Sequence, residues 1–260
     1  MPCPFPLKSF PFGNHEALVY NTVGEMAEAA SEAAASAINE VLSRKQKARI
    51  MIGTGNSQER TIGALVRRED LDWSRIEVFH MDEYMGLPAD HPASFRRWLR
   101  TRVADVARPA AMHYIQGDAP DIGEEIQRYT GLLLSEELDL SFIGFGENGH
   151  IAFNDPHVAD FNDKETLKVV DLDEACRRQQ VGEGHFPNME SVPTHALTVT
   201  CPGLFRARNW IVVVPEARKA QAVKDALTGP VSSACPGSLA RTHPAARLFM
   251  DRDAASLLPV

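Results

Sequence analysis

Cysteine is scarce and dispersed. Cys3, Cys176, Cys201 and Cys235 form no CxxC pair, which excludes a zinc knuckle or a compact disulfide framework and reads as four reduced thiols. A basic excess is also missing: 27 Lys and Arg stand against 35 Asp and Glu, for a formal net charge of −8. Such a chain has no positive field with which to follow a polyanion, so nucleic acid is not expected as a partner, and an anionic ligand needs a local pocket. No apolar run approaches the length of about 20 residues that spans a bilayer. The N-terminal stretch MPCPFPLKSFPFGNH lacks the charged-then-apolar order of a signal peptide. No membrane association is expected, and the cytoplasm is the expected compartment. No repeat, low-complexity tract or linker divides the 260 residues, a length suited to a single large α/β domain.

What is present is an alternation. An Ala- and Glu-rich stretch with helical spacing (Thr22 to Lys45) leads into the apolar run ARIMIG and a glycine turn, TGNSQ. The same order recurs where IEVFH stops at MDEYMG, LDLSFIGF stops at GENGH, and NWIVVVP stops at EARKAQAVKDAL. Helices are expected at Pro92 to Val103 and Asp121 to Leu134, and ARLFMD forms a last apolar stretch. Short, continuously apolar strands separated by helices predict a three-layer, Rossmann-like α/β fold, its mostly parallel central sheet covered by helices on both faces. The least regular segment, about Pro156 to Pro193, carries GEGHFPNMESVP. Two readings of it stand: a surface excursion, or a mobile cover over a site.

Ligands of such sheets sit beyond the carboxyl ends of the strands, so the strand ends are where chemistry is sought. The turn Thr54-Gly55-Asn56-Ser57 offers backbone N–H groups and two hydroxyls to an anion at a helix N-terminus. A plain Ser N-cap explains it equally well. In MDEYMGLP the adjacent acids Asp82 and Glu83 project in different directions, so that one can face a cleft and move a proton on carbon while the other props the loop. In GFGENGHIAFNDP the glycines at 144, 146 and 149 permit a sharp turn, His150 supplies a group that titrates near neutrality, and Asp155 stands close enough to orient it.

These two loops carry a resemblance. HMDEYMGLPADHPASF and GFGENGHIAFNDP resemble the signature loops of the glucosamine-6-phosphate deaminase (isomerase) family, and the similarity runs in order from about Ile50 to Asp251. The resemblance implies a metal-free, cofactor-free conversion of glucosamine 6-phosphate and water to fructose 6-phosphate and ammonia. On that basis His150 opens the pyranose ring with Asp155 and Asn148 as its partners, and Asp82 carries the C2 proton to C1 through an enolamine. Thr54, Gly55, Asn56, Ser57, Glu83, Gly149 and Lys219 are assigned to substrate binding.

Three departures from the family stand out. Asp155 replaces a frequent Glu, one methylene longer. Asn148 stands where some members carry Asp, and because an amide orients an imidazole without balancing its charge, Asp155 is left as the counter-charge. Gln180 falls where an arginine is expected to hold phosphate, with Arg177 and Arg178 nearby as substitutes. The implied partner is a small phosphorylated amino sugar, with homo-oligomerisation left open. Two other readings remain: a lactonase or isomerase on the same fold, which needs His150 but not Asp82, and a non-catalytic sugar-phosphate sensor.

Overall fold

A computed structural model describes residues 4–182 and 184–259; Cys3 lies outside them, and Cys176, Cys201 and Cys235 are free thiols. In chain order, a hairpin of β1 (Lys8–Phe12) and β2 (His15–Tyr20) precedes α1 (Val23–Leu42), β3 (Ala48–Ile52), α2 (Asn56–Leu65), β4 (Ile76–His80) and β5 (Asp82–Tyr84). Then come α3 (Phe95–Leu99), a π-helical turn (Arg100–Ala104), α4 (Asp105–Ala107), β6 (Ala111–His113), α5 (Ile122–Ser135) and β7 (Leu140–Ile143). The remainder is β8 (Leu167–Asp171), α6 (Glu174–Gly182), β9 (His195–Val199), α7 (Cys201–Phe205), β10 (Asn209–Val214), α8 (Ala220–Thr228) and β11 (Ala246–Asp251).

Eight strands form the central sheet in the order β1-β2-β11-β10-β7-β3-β4-β6, all parallel except the β1–β2 pair. Alternate side chains of each inner strand enter different cores. Ile50 and Ile52 of β3 pack with α1 and α2, whereas Met51 joins the cluster that contains Tyr129 and Leu133 of α5. This two-sided burial is why the strands read as unbroken apolar runs. Helix α1 starts where the sequence signals it: Thr22 and Glu25 form a reciprocal capping box. Its alanines then let the helix lie close against the sheet.

Two features were not expected. The N-terminal hairpin extends the sheet beyond β11. In addition, β5, β9 and β8 form a separate three-stranded antiparallel sheet. The segment from 156 to 193 therefore contributes a strand and a nine-residue helix, with a further 3-10 turn at Met189–Ser191, and is more regular than its composition suggests. Among the described residues no helix is long and apolar enough to cross a membrane.

The strand order reverses beside β3. The chain proceeds outward from β3 to β4 and β6, and then returns to place β7 on the other side of β3. Such a reversal opens a crevice at the carboxyl ends of the two strands on either side of it.

Candidate active site

A cleft spanning about 650 Å³, part of it open solvent, lies at that crevice. It is lined by residues 53–58 after β3, by Met81 and Asp82 after β4, by Gly144, Gly146 and His150 after β7, and by Lys219 after β10. Gln179, Gln180 and His185, from the segment 156–193, also line it.

The loop after β7 is built around the histidine. Gly146 N–H donates to the His150 carbonyl at 2.9 Å, and Gly149 N–H to the Gly146 carbonyl at 3.1 Å. His150 Nδ1 lies 2.8 Å from Asn148 Oδ1 and 3.0 Å from Asp155 Oδ1. Asn148 donates its amide to the same Asp155 oxygen at 2.8 Å, while its Oδ1 also accepts from the His150 backbone N–H at 3.0 Å. Both neighbours of Nδ1 are acceptors, so Nδ1 carries the proton and Nε2 is left for exchange with a ligand. Asp155 thus reaches the ring despite its shorter side chain. Burial works to raise its carboxyl, but the hydrogen bond and charge of His150, with Asn148 and Cys176, outweigh burial and hold it at about 2.

Gly146 has a steric duty here: a Cβ at that position would come within 2.1 Å of His150 Cε1. Gly146→Ala is expected to fold, to displace the imidazole and to lower kcat by about 10²-fold; circular dichroism beside steady-state kinetics checks both halves.

Asp82 opens β5, where it pairs opposite Thr198 of β9. Successive side chains of a strand point to opposite faces, and these two acids do so. Asp82 faces the cavity, 7% exposed, and its Oδ1 accepts no hydrogen bond from any described residue. Burial first, and then the charge of Glu83, raise its carboxyl well above the ordinary carboxylate value. Glu83 is fully buried and turned away. Its carboxylate accepts from Ser94 Oγ at 2.8 Å and from the backbone N–H groups of Tyr84, Phe95 and Arg96. Glu83, expected at the substrate, is absent from the cavity lining: its oxygens are committed to the start of α3, and it braces the loop that presents Asp82.

Gly149, also expected at the substrate, stands behind the loop. It has φ +82°, does not line the cavity, and a Cβ there would meet Cys235 Sγ at 2.7 Å. Its carbonyl accepts from Gly237 N–H at 2.7 Å, so it docks the loop on the neighbouring segment. Asn148 is likewise absent from the lining, acting on His150 and Asp155 instead.

After β3, the residue that caps α2 is Gly55, with no side-chain cap. The plain Ser N-cap reading therefore fails, and Asn56 and Ser57 begin the helix at the cavity wall. Lys219, 3% exposed, ends a 3-10 turn at Ala217–Lys219 and joins the same wall. Neither substitute arginine does: Arg177 donates to the Met189 and Val192 carbonyls, and Arg178 pairs with Glu174. Gln180 does line the cavity, and its Oε1 accepts from the Tyr84 hydroxyl at 2.5 Å.

Three polar lining residues escaped the sequence reading: Gln58, Gln179 and His185. For Gln58 helical periodicity was the available signal, since its place in the first turn of α2 turns it inward. Another strand-end histidine, His80, is core. Its Nε2 accepts from Ile115 N–H at 2.7 Å, and burial, followed by the charge of Arg96, pushes it down to about 3.

The sequence model of the family described as glucosamine-6-phosphate isomerases/6-phosphogluconolactonase matches residues 21–250. Glucosamine-6-phosphate deaminase from Bacillus thuringiensis (strain Al Hakam) is 35% identical over 240 residues, 92% of this chain and 88% of the relative. A solved structure of a monomeric glucosamine-6-phosphate deaminase superposes with a TM-score of 0.83 at 30% identity, covering 93% of this chain and 99% of the other. The 6-phosphogluconolactonase of Thermotoga maritima superposes at 0.73 with 18% identity, over 90% of this chain and 99% of the other, a likeness of fold.

Proposed function

The chain belongs to the glucosamine-6-phosphate isomerase/6-phosphogluconolactonase family, and from that premise we propose that it is an enzyme converting glucosamine 6-phosphate and water to fructose 6-phosphate and ammonia. The observation that carries this reading is Asp82: a buried carboxyl with an uncommitted oxygen, lining the same cavity as His150. A lactonase needs a proton shuttle between oxygens and has no use for a second acid raised toward carbon chemistry.

In the reaction, His150 Nε2 moves a proton between the ring oxygen and the C1 hydroxyl, which breaks the C1–O5 bond and frees the aldehyde. Asp155 stays ionised throughout, and Asn148 fixes the ring from beneath. Asp82 then removes the C2 proton while the substrate's own ammonium passes a proton to O1, giving the enolamine, and Asp82 returns its proton to C1, leaving an iminium at C2. Water adds there and ammonia departs. A carboxyl with a raised pKa suits this step, because it accepts a proton from carbon and holds it long enough to return it.

The phosphate lies against the start of α2, at Gly55 to Ser57, with Lys219 as its cation. Gln179, Gln180 and His185 belong to the segment 156–193, which covers the site and excludes water during proton transfer. Lys219→Ala is expected to raise KM by about 10- to 100-fold with a smaller effect on kcat, the signature of losing a charge-assisted contact away from the reacting carbons.

The test of the reading is coupled detection of ammonia from glucosamine 6-phosphate, run beside free glucosamine and 6-phosphogluconolactone. Release from the phosphosugar alone supports it. Hydrolysis of the lactone without ammonia release transfers the chain to the lactonase reading, and inactivity on all three supports a sensor.

A further inference from the structure

Gln58 stands out in the hydrogen-bond inventory of the cavity. It is 1% exposed, yet both its Oε1 and its Nε2 lack a partner among the described residues. A buried primary amide left unpaired on both sides is costly, and packing does not require it, since an apolar side chain of similar length would fill the same space. Its surroundings show where the amide is directed. The first turn of α2 holds it at the cavity wall, and its Nε2 lies 3.2 Å from where a Cβ on Gly144 would stand. The amide therefore sits between two ends of the site: Ser57 immediately precedes it on the phosphate side, and Gly144 begins the loop that carries His150.

We propose that Gln58 is a specificity-determining residue that hydrogen-bonds the hydroxyls on C3 and C4 of the open-chain sugar. This rests on the reading of the site given above, and extends it to a residue with no place in that mechanism. With C1 and C2 at Asp82 and His150 and the phosphate at the start of α2, the carbons left opposite Gln58 are those in the middle of the chain. Each hydroxyl both donates and accepts, as does a primary amide, so one side chain can satisfy two neighbouring hydroxyls. A site that hydrogen-bonds a substrate hydroxyl discriminates against analogues that lack or invert it, because its own buried polar atoms are then left unpaired. Gln58 thereby makes the enzyme sensitive to the configuration at C4.

The test combines kinetics with stability. Wild type and Gln58→Met are assayed on glucosamine 6-phosphate, its 3-deoxy and 4-deoxy analogues, and its C4 epimer. The wild type is expected to lose about 10- to 100-fold in kcat/KM when a contacted hydroxyl is removed. Gln58→Met is expected to lose a similar factor on the full substrate, and to show little further loss on that deoxy analogue or on the epimer. Losses that multiply for both deoxy analogues would overturn the assignment. The stability arm needs no turnover: with the unpaired amide removed, Gln58→Met and Gln58→Leu should melt at or above the wild-type temperature without ligand. A clear fall in both variants would make the amide structural and refute the proposal. Failure of the wild type to turn over glucosamine 6-phosphate would sink the reaction assignment instead, leaving the melting comparison to decide the role of Gln58.

Discussion

Asp82→Asn is expected to lose turnover by about 10²–10⁴-fold, the worth of a positioned acid–base group, while still binding the phosphosugar and still opening its ring. The amide has the shape of the carboxyl but cannot take a proton from C2, so exchange of that proton with solvent deuterium should fall together with turnover. Exchange at the wild-type rate would exclude Asp82 as the base.

The same substitution carries a stability prediction of opposite sign. Because burial raises the folded-state pKa of Asp82 above an unfolded value of about 3.9, the folded protein holds this proton more tightly than the unfolded chain does. That contribution is fully present below the unfolded pKa and is lost as pH rises through the folded one. At neutral pH this buried acid is therefore a liability, and Asp82→Asn should melt higher than wild type, by about 2–4 °C for each kcal/mol relieved in a chain of this size. The advantage should shrink as pH falls and vanish only well below the unfolded value of about 3.9, where the wild-type carboxyl is neutral in both states. The wild-type rate should also decline on the acid side at a pH above the ordinary carboxylate range. Melting curves and pH–rate profiles check each sign separately.

His150→Gln is the second large effect. Turnover of cyclic glucosamine 6-phosphate should fall by about 10²–10⁴-fold, whereas an open-chain analogue, which needs no ring opening, should be processed at nearly the wild-type rate. The separation follows from the geometry: His150 Nδ1 is committed to Asn148 and Asp155 at 2.8 and 3.0 Å, so only Nε2 faces the ligand, and Asp82 works independently of it. Equal losses on both substrates would assign His150 to binding or loop structure. Asp155→Asn should resemble His150→Gln in this respect, because it removes the carboxylate that the ring faces and leaves Asp82 untouched.

Much of this could be read from the sequence, for a physical reason. Parallel strands buried on both faces appear as apolar runs, so β3, β4, β7, β10 and β11 announced themselves, and with them the strand ends where Asp82 and His150 stand. The contrast between Asp82 and Glu83 was legible as well, because adjacent strand residues must diverge; which of the two faces the cavity was not. That depended on Ser94 and the backbone of residues 95 and 96 converging on Glu83, partners eleven to thirteen positions away and set by the path of the loop. The β5-β9-β8 sheet was invisible for a similar reason. A three-residue strand has too little pattern to show alternation, and its partners lie more than a hundred residues on. Gly149 looked like a point of ligand approach, and only the packing of Cys235 against it reveals a docking contact. Gln58 was hidden in a turn whose neighbours drew attention for their hydroxyls and glycine.

The most direct test of the central claim, that one cavity couples ring opening to proton transfer between C2 and C1, is product analysis with glucosamine 6-phosphate deuterated at C2. Followed by NMR in ordinary water, the account predicts fructose 6-phosphate with ammonia in equal amount, deuterium gone from C2, and a fraction of it on C1, carried there by Asp82. Ammonia released with deuterium still at C2 of an aldose phosphate would mean direct displacement of the amine without carbon proton transfer, and would contradict the account.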